Sequence, residues 1–261
     1  MKRRIDQLLV ERGFAESRHR AQALLLAGKV LVDEQKVEKP GRRVNAEAAI
    51  RILRPLRFAS RAGDKLQAAL DHFQIRVAGR VCADLGASTG GFTDCLLHNG
   101  ASLVYAFDVG KGQLAWKLQT DPRVVVRDGY NVRWLRPEDL PEKISLVTVD
   151  LSFISVTKIL PVLLKSLALR RAALKGGEAE LPADVDVLDK PQFEVGKGEV
   201  GKGGVVRDPV KRAAALEAVE EFARRLGFRV VGAIPSPVPG AEGNEEFLLY
   251  LQAPKGLLFA T

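Results

Sequence analysis

The chain has 261 residues, 46% of them apolar and 28% charged, enough for a sizeable core and ordinary for a soluble protein. No run approaches the roughly 18 uninterrupted apolar residues of a membrane span, and the N-terminus (Met1-Lys2-Arg3-Arg4-Ile5-Asp6) is not an apolar signal region. Two cysteines, Cys82 and Cys95, and three scattered histidines, His19, His72 and His98, argue against a disulfide framework and against a metal centre, so a cytoplasmic protein without metal is expected.

The net charge of +8 is unevenly spread. Residues 1–60 hold 14 Lys and Arg against 7 Asp and Glu, whereas the remaining residues hold 26 against 25. A concentrated basic segment suits a polyanion, because neutralised phosphates release condensed counterions. Charge alone fits a solvated basic face equally well.

In chain order, Ile5, Leu8 and Leu9 fall on one face of a first helix that should end near Gly13. Ser17 can cap a second helix with Ala21, Leu24 and Leu25 on one side and Gly28 as its stop. Val30–Val32 reads as a short strand, Asp33-Glu34 as a turn and Lys36-Val37 as the return. The pattern Arg4-Ile5-Asp6 with Leu8, Glu16-Ser17-Arg18 with Ala21, and Ala27-Gly28-Lys29-Val30 with Val32 resembles the S-four RNA-binding domain over about residues 3–55. That resemblance implies a small α+β domain whose RNA contacts would come from Arg18, Arg20, Lys29 and Lys36, with Arg3 and Arg4 nearby. The family usually places Asn-Gly at the turn where this chain has Asp33-Glu34, a departure that bears on the turn geometry.

Residues 51–60 read as a charged connector in which Pro55 disfavours helix before it. The expected division is 1–55 for the first domain, 56–60 for a linker and 61–261 for the second domain. From Ser60 the chain alternates between helix and strand. Leu66, Ala69, Leu70 and Phe73 line a helix, and strands follow at Val81–Leu85, Leu103–Asp108, Val124–Arg127 and Leu146–Leu151. A helix around Ala213–Leu226 precedes strands at Phe228–Ala233 and Phe247–Gln252. This is the pattern of an α/β fold with a mostly parallel sheet covered on both faces and an antiparallel pair at the C-terminal end.

The strongest local signal is Asp84-Leu85-Gly86-Ala87-Ser88-Thr89-Gly90-Gly91-Phe92-Thr93, a strand running into glycines and then a helix. Glycines there let backbone approach a ligand at the carboxyl ends of the strands. One strand on, Asp108 is suited to bonding ribose hydroxyls, with Val109 beside it, and Asp128 could face an adenine edge. The spacing of Gly86, Gly90 and Gly91 lacks the G-x-G pair of dinucleotide enzymes. Instead, D-x-G-x-x-x-G-G-F resembles the first motif of S-adenosylmethionine methyltransferases, which implies a Rossmann-like domain binding that donor through Asp84, Gly86, Ser88, Thr89, Gly90, Gly91, Phe92, Asp108, Val109 and Asp128. A second glycine run, Gly196–Gly203, nearly matches the phosphate-binding G-x-x-x-x-G-K-[ST] but ends in Gly203, without the metal-binding hydroxyl. A flexible Gly/Lys loop beside an RNA site is the better reading, with a plain surface loop as the alternative.

Lys65, Asp150, Lys190 and Glu246 lie near the same expected sheet edge. A ribose 2′-hydroxyl must be partly deprotonated as it attacks a methyl carbon, and a lysine held near carboxylates can act as base or orienter. With the glycine motif, these four resemble the Lys-Asp-Lys-Glu tetrad of the FtsJ-type RNA 2′-O-methyltransferases. The stretches S-T-G-G-F-T-D-C-L-L, D-V-G-K-G-Q-L-A-W, D-L-S-F-I-S, K-P-Q-F-E-V-G and G-G-V-V-R-D-P, together with the first domain, narrow the resemblance to the TlyA family of rRNA methyltransferases, also known as haemolysins. It implies 2′-O-methylation of cytidine in ribosomal RNA of the ribosomal subunits, with Lys190 as base and Lys65, Asp150 and Glu246 in support. Glu246 is chosen over Glu245 because it fits the family's Asn-x-Glu spacing. Three features depart from the pattern: Asp189 in place of an apolar residue beside Lys190, the polar stretch 175–186, and Asp128 in place of a glutamate. Asp189 could raise the pKa of Lys190 or pair elsewhere. Two other classes stay open, a non-catalytic RNA-binding or ribosome-assembly factor and a pore-forming haemolysin, although no segment suited to entering lipid is visible.

Overall fold

The computed structural model describes residues 2–53, 56–140, 143–173, 183–196, 198–201 and 203–254. Pro55 of the connector, residues 175–182 of the polar stretch, and Lys197 and Lys202 of the glycine-lysine loop lie outside them. The chain forms two units, Met1–Leu56 and Arg57–Thr261. Among the described residues no helix is long and apolar enough to cross a membrane.

The first unit comprises β1 (Lys2–Arg4), α1 (Ile5–Glu11), α2 (Arg18–Leu26), β2 (Val30–Val32), β3 (Gln35–Lys36), β4 (Arg43–Asn45) and β5 (Ile50–Ile52). Ile5, Leu8, Leu9, Ala21, Leu25 and Val30 are buried together, and the Ser17 hydroxyl caps α2 by accepting from the Arg20 amide at 3.2 Å. β1 pairs with β4, and β2 lies between β3 and β5. The pairing of Val30 with Ile52 takes residues 51–52 out of the expected connector and into the sheet, since Ile50 and Ile52 alternate onto the core. The turn after β2 keeps left-handed φ at both Asp33 (48°) and Glu34 (61°), the form that a two-residue hairpin turn of this twist demands. Side chains fix what Asn-Gly would adopt freely: the Asp33 carboxylate accepts from the Ala49 amide at 2.9 Å, and Glu34 pairs with Arg51 at 2.5 Å.

The second unit contains α3 (Ala62–His72), β6 (Val81–Leu85), α4 (Gly91–His98), β7 (Leu103–Asp108), α5 (Trp116–Gln119), β8 (Val124–Asp128), β9 (Leu146–Val149), α6 (Leu160–Ala173), β10 (Asp184–Asp189), α7 (Pro191–Glu194), α8 (Pro209–Arg225), β11 (Arg229–Pro235) and β12 (Phe247–Gln252). Seven strands make one sheet in the order β11-β12-β10-β9-β6-β7-β8. The run from β10 to β8 is parallel, while β12 is antiparallel to both β10 and β11. Apolar residues of β6, β9 and β10 alternate into two cores, one on each face of the sheet. β9 ends at Val149, so Asp150 sits just past the strand rather than in it. Phe58, inside the expected linker, is buried against this sheet's core, and the Ala59 amide donates to Asp94 at 2.7 Å. Because β12 runs against its neighbours, its first residue lies at the edge where the parallel strands end.

Candidate active site

The chain leaves β6 through Gly86 at φ 93°, a left-handed conformation that suits glycine. A Cβ there would also strike the Asp150 carbonyl, so the loops after β6 and β9 pass as close as backbones can. Ser88 follows at φ 47°. Its amide donates to Asp108 Oδ2 at 2.8 Å, and the Gly110 amide donates to Oδ1 at 2.7 Å. Beside these lies a cavity of about 480 Å³ lined by Gly86, Ser88, Asp108, Val109, Tyr130 and Phe153, among others. Its volume suits a nucleoside-sized ligand.

The rest of the glycine motif shapes this wall from behind. Asp84 is fully buried, accepting from Thr93 Oγ1 at 2.6 Å and Thr148 Oγ1 at 3.0 Å. Burial pushes its pKa up to about 6 although both hydroxyl bonds pull it down. Gly90, at φ 94°, lets Leu114 and Leu118 close in; Gly91 does the same for Ser60, and Phe92 is a core residue. Thr89 is exposed, and Asp128, also exposed, accepts from the Gly112 amide at 2.7 Å. None of Asp84, Thr89, Gly90, Gly91, Phe92 and Asp128 lines the cavity, unlike Gly86, Ser88, Asp108 and Val109.

The four polar residues form two lysine–carboxylate pairs. Lys65, on α3, donates to Glu246 at 2.5 Å, and both side chains are buried. Gly240 packs directly over that carboxylate, where a Cβ would collide with it. Lys190, just past β10, lies 2.6 Å from Asp150, an ion pair rather than an aligned hydrogen bond, and also donates to Ser152 Oγ at 3.1 Å. Glu245 instead points outward to Arg212 at 2.8 Å.

Asp189 does not pair elsewhere among the described residues. Successive side chains of an extended strand diverge, and its carboxyl is buried without a hydrogen-bond partner. Burial, reinforced by Glu194, Glu246 and Glu220, pushes its pKa well up. Sequence reasoning missed several neighbours. Phe153 lines the cavity at φ 65° and is 92% exposed; strain of this kind in a non-glycine residue collects at functional sites. Glu194 accepts from Ser155 Oγ at 2.6 Å and the Val156 amide at 2.8 Å, and burial raises its pKa against those two bonds. Asn244 accepts from the Val206 amide at 3.2 Å and donates to the Gly204 carbonyl at 3.0 Å, tying the Gly/Lys loop to the Glu246 segment. All three lie in stretches that carry the family resemblance, D-L-S-F-I-S, K-P-Q-F-E-V-G and Asn-x-Glu, but residue type alone gave them no role.

In the first unit, the cations divide by partner. Arg4 and Arg18 converge on the fully buried Asp6 at 2.9 and 2.8 Å, and the two guanidiniums hold its carboxyl well below the usual range. Arg3 pairs with Glu11, and Lys36 with Glu38 at 2.7 Å. Arg20 is exposed and Lys29 half-buried.

Comparison with known proteins gives the same outline. The model of the FtsJ-like methyltransferases matches residues 58–253, and that of the S4 domain matches residues 3–50. The chain is 48% identical to the 16S/23S rRNA (cytidine-2′-O)-methyltransferase TlyA of Mycobacterium tuberculosis, over 95% of this chain and 89% of that protein. It is 40% identical to Hemolysin A of Brachyspira hyodysenteriae, over 95% and 98%. A solved Streptococcus thermophilus protein carrying a hemolysin name superposes with a TM-score of 0.72 at 39% identity, covering 98% of this chain and 90% of that one. The chain therefore belongs to the FtsJ-like methyltransferase family and, within it, groups with the TlyA proteins.

Proposed function

We propose that this protein transfers a methyl group from S-adenosylmethionine to the ribose 2′-hydroxyl of a cytidine in ribosomal RNA, acting on ribosomal subunits in the cytoplasm. The observation that carries the reading is the contact of Lys190 with Asp150, which itself lines the cavity walled by Gly86 and Asp108, with the Lys65–Glu246 pair at the same end of the sheet. One of those walls fits the donor: Asp108 is a carboxylate fixed by two backbone amides for bonding ribose hydroxyls. S-adenosylmethionine, when bound, supplies a methyl group activated on a sulfonium.

Lys190 orients the hydroxyl and, once its ammonium has given up a proton to solvent, takes the hydroxyl proton, while Asp150 stabilises the ammonium form that results. Lys65, fixed by Glu246, holds the ribose in line, and much of the acceleration comes from that positioning. Phe153 offers an exposed ring on which the base of the target nucleotide can stack. The first unit, residues 1–55 with a short linker after it, supplies affinity through Arg3, Arg4, Arg18, Arg20, Lys29 and Lys36, neutralising phosphates. Arg4 and Arg18 are preset by Asp6 for that task.

Lys190→Ala tests the assignment. With the fold retained by circular dichroism, methyl transfer to ribosomal RNA should fall by about 10²–10⁴-fold. Full activity of this variant sinks the assignment, and mass mapping of the RNA identifies the nucleotide.

A further inference from the structure

Two irregular segments meet at the Lys190–Asp150 pair. One is the loop from Asp150 to Ser155 after β9; the other is the turn from Lys190 through α7 after β10. Lys190 reaches Asp150 and Ser152, both at the start of the loop, and leaves its far end at Ser155 to another tie. Glu194 supplies a second attachment. One of its carboxylate oxygens accepts from Ser155 Oγ at 2.6 Å, and the other from the Val156 amide at 2.8 Å. Between the two attachments the rings of Phe153 and Phe193 pack at 5.3 Å. The segments are thus joined at three successive places, with the lysine pair at one end and the glutamate at the other.

We infer that Glu194 is a positioning residue that locks the loop bearing Asp150 to the turn bearing Lys190, so that both groups meet the hydroxyl as one body. This rests on the reading of Lys190 and Asp150 given above. This carboxylate makes one bond per oxygen, which fixes its plane. Released, the loop can shift by an ångström or so, a displacement that can cost on the order of 10²-fold in rate.

Three variants test the clamp. Glutamine at 194 keeps an acceptor for the Val156 amide and offers an N–H to the Ser155 hydroxyl; alanine keeps neither. At 25 °C, Glu194→Ala should lose at least about 10-fold in kcat, roughly 1.4 kcal/mol of barrier, with KM for the RNA changed little. Glu194→Gln should stay close to the parent. Hydrogen exchange at the Val156 amide should quicken in Glu194→Ala and not in Glu194→Gln. Val219→Ala, a core cavity beneath α8, serves as a control that lowers Tm and leaves kcat unchanged. The clamp is refuted by unchanged Val156 exchange in Glu194→Ala, by an unchanged kcat, by a glutamine variant as impaired as alanine, or by an equal kcat loss in Val219→Ala. If the parent protein transfers no methyl group to ribosomal RNA, the reading of the site fails instead, and the exchange result still decides the clamp.

Discussion

Asp186 is buried in the middle of β10 with neither oxygen hydrogen-bonded, and replacing it with asparagine should change how stability depends on pH. Across the sheet it stands in register with Thr148 and Tyr250. The Thr148 hydroxyl already donates to Asp84, and that of Tyr250 donates to Asp184 at 2.6 Å, so neither hydrogen is left for Asp186. Desolvation alone then pushes its pKa from the ordinary 3.8 up to about 8. A carboxyl whose folded pKa lies above its unfolded one binds more protons when folded, so it removes stability as pH rises from about 4 to about 8. Each unit is about 1.4 kcal/mol, which gives on the order of 4 kcal/mol between pH 5 and pH 8. An asparagine side chain has no such proton to lose, so Asp186→Asn should gain on the parent by that amount over the interval. Urea unfolding at a series of pH values, followed by tryptophan fluorescence, isolates the effect, because Trp116 and Trp134 both lie in the second unit. Asp84 and Asp189 contribute to both proteins and cancel in the difference. Parallel stability curves for the two proteins would refute the reasoning.

Gly86→Ala should weaken S-adenosylmethionine binding by at least about 10²-fold, since the new methyl meets the Asp150 carbonyl and the left-handed φ adds about 1–3 kcal/mol of strain; calorimetric titration with unchanged affinity would contradict it. Lys65→Met leaves Glu246 as an unpaired buried carboxylate. It should cost about 3–5 kcal/mol of stability, much of it recovered by adding Glu246→Gln, so a single variant as stable as the parent in urea melts would show the pair to be uncoupled.

The layered α/β architecture was legible because β6, β7, β8 and β9 are short apolar runs separated by helical spacing, and the glycine motif marked the ligand edge. β10 was harder to see. Its start falls in the polar stretch 175–186 and no strand is expected there, yet Asp184–Asp189 lies between β9 and β12 with Asp186 and Asp189 buried. Acidic residue type argued for a loop, and burial of those carboxyls inside the sheet leaves no local signature. In the first unit β1, β4 and β5 have three residues each, too few for a period to register. Lys65, Asp150, Lys190 and Glu246 could be nominated from residue type and motif, but their division into two pairs depends on strand order. Glu194, Ser152 and Asn244 act through bonds to distant loops, and no local spacing reports such bonds.

The reversed last strand of the sheet carries a consequence for how the enzyme is made. β12 inserts between β10 and β11, both earlier in the chain, and brings Glu246 to Lys65, 181 positions upstream. During synthesis everything from Ser60 to Pro235 can emerge while the sheet still has a gap and Lys65 lacks its counter-ion. Closing that gap and pairing Lys65 with Glu246 are one event. If the proposed site is correct, turnover by a newly made chain reports that the sheet has closed.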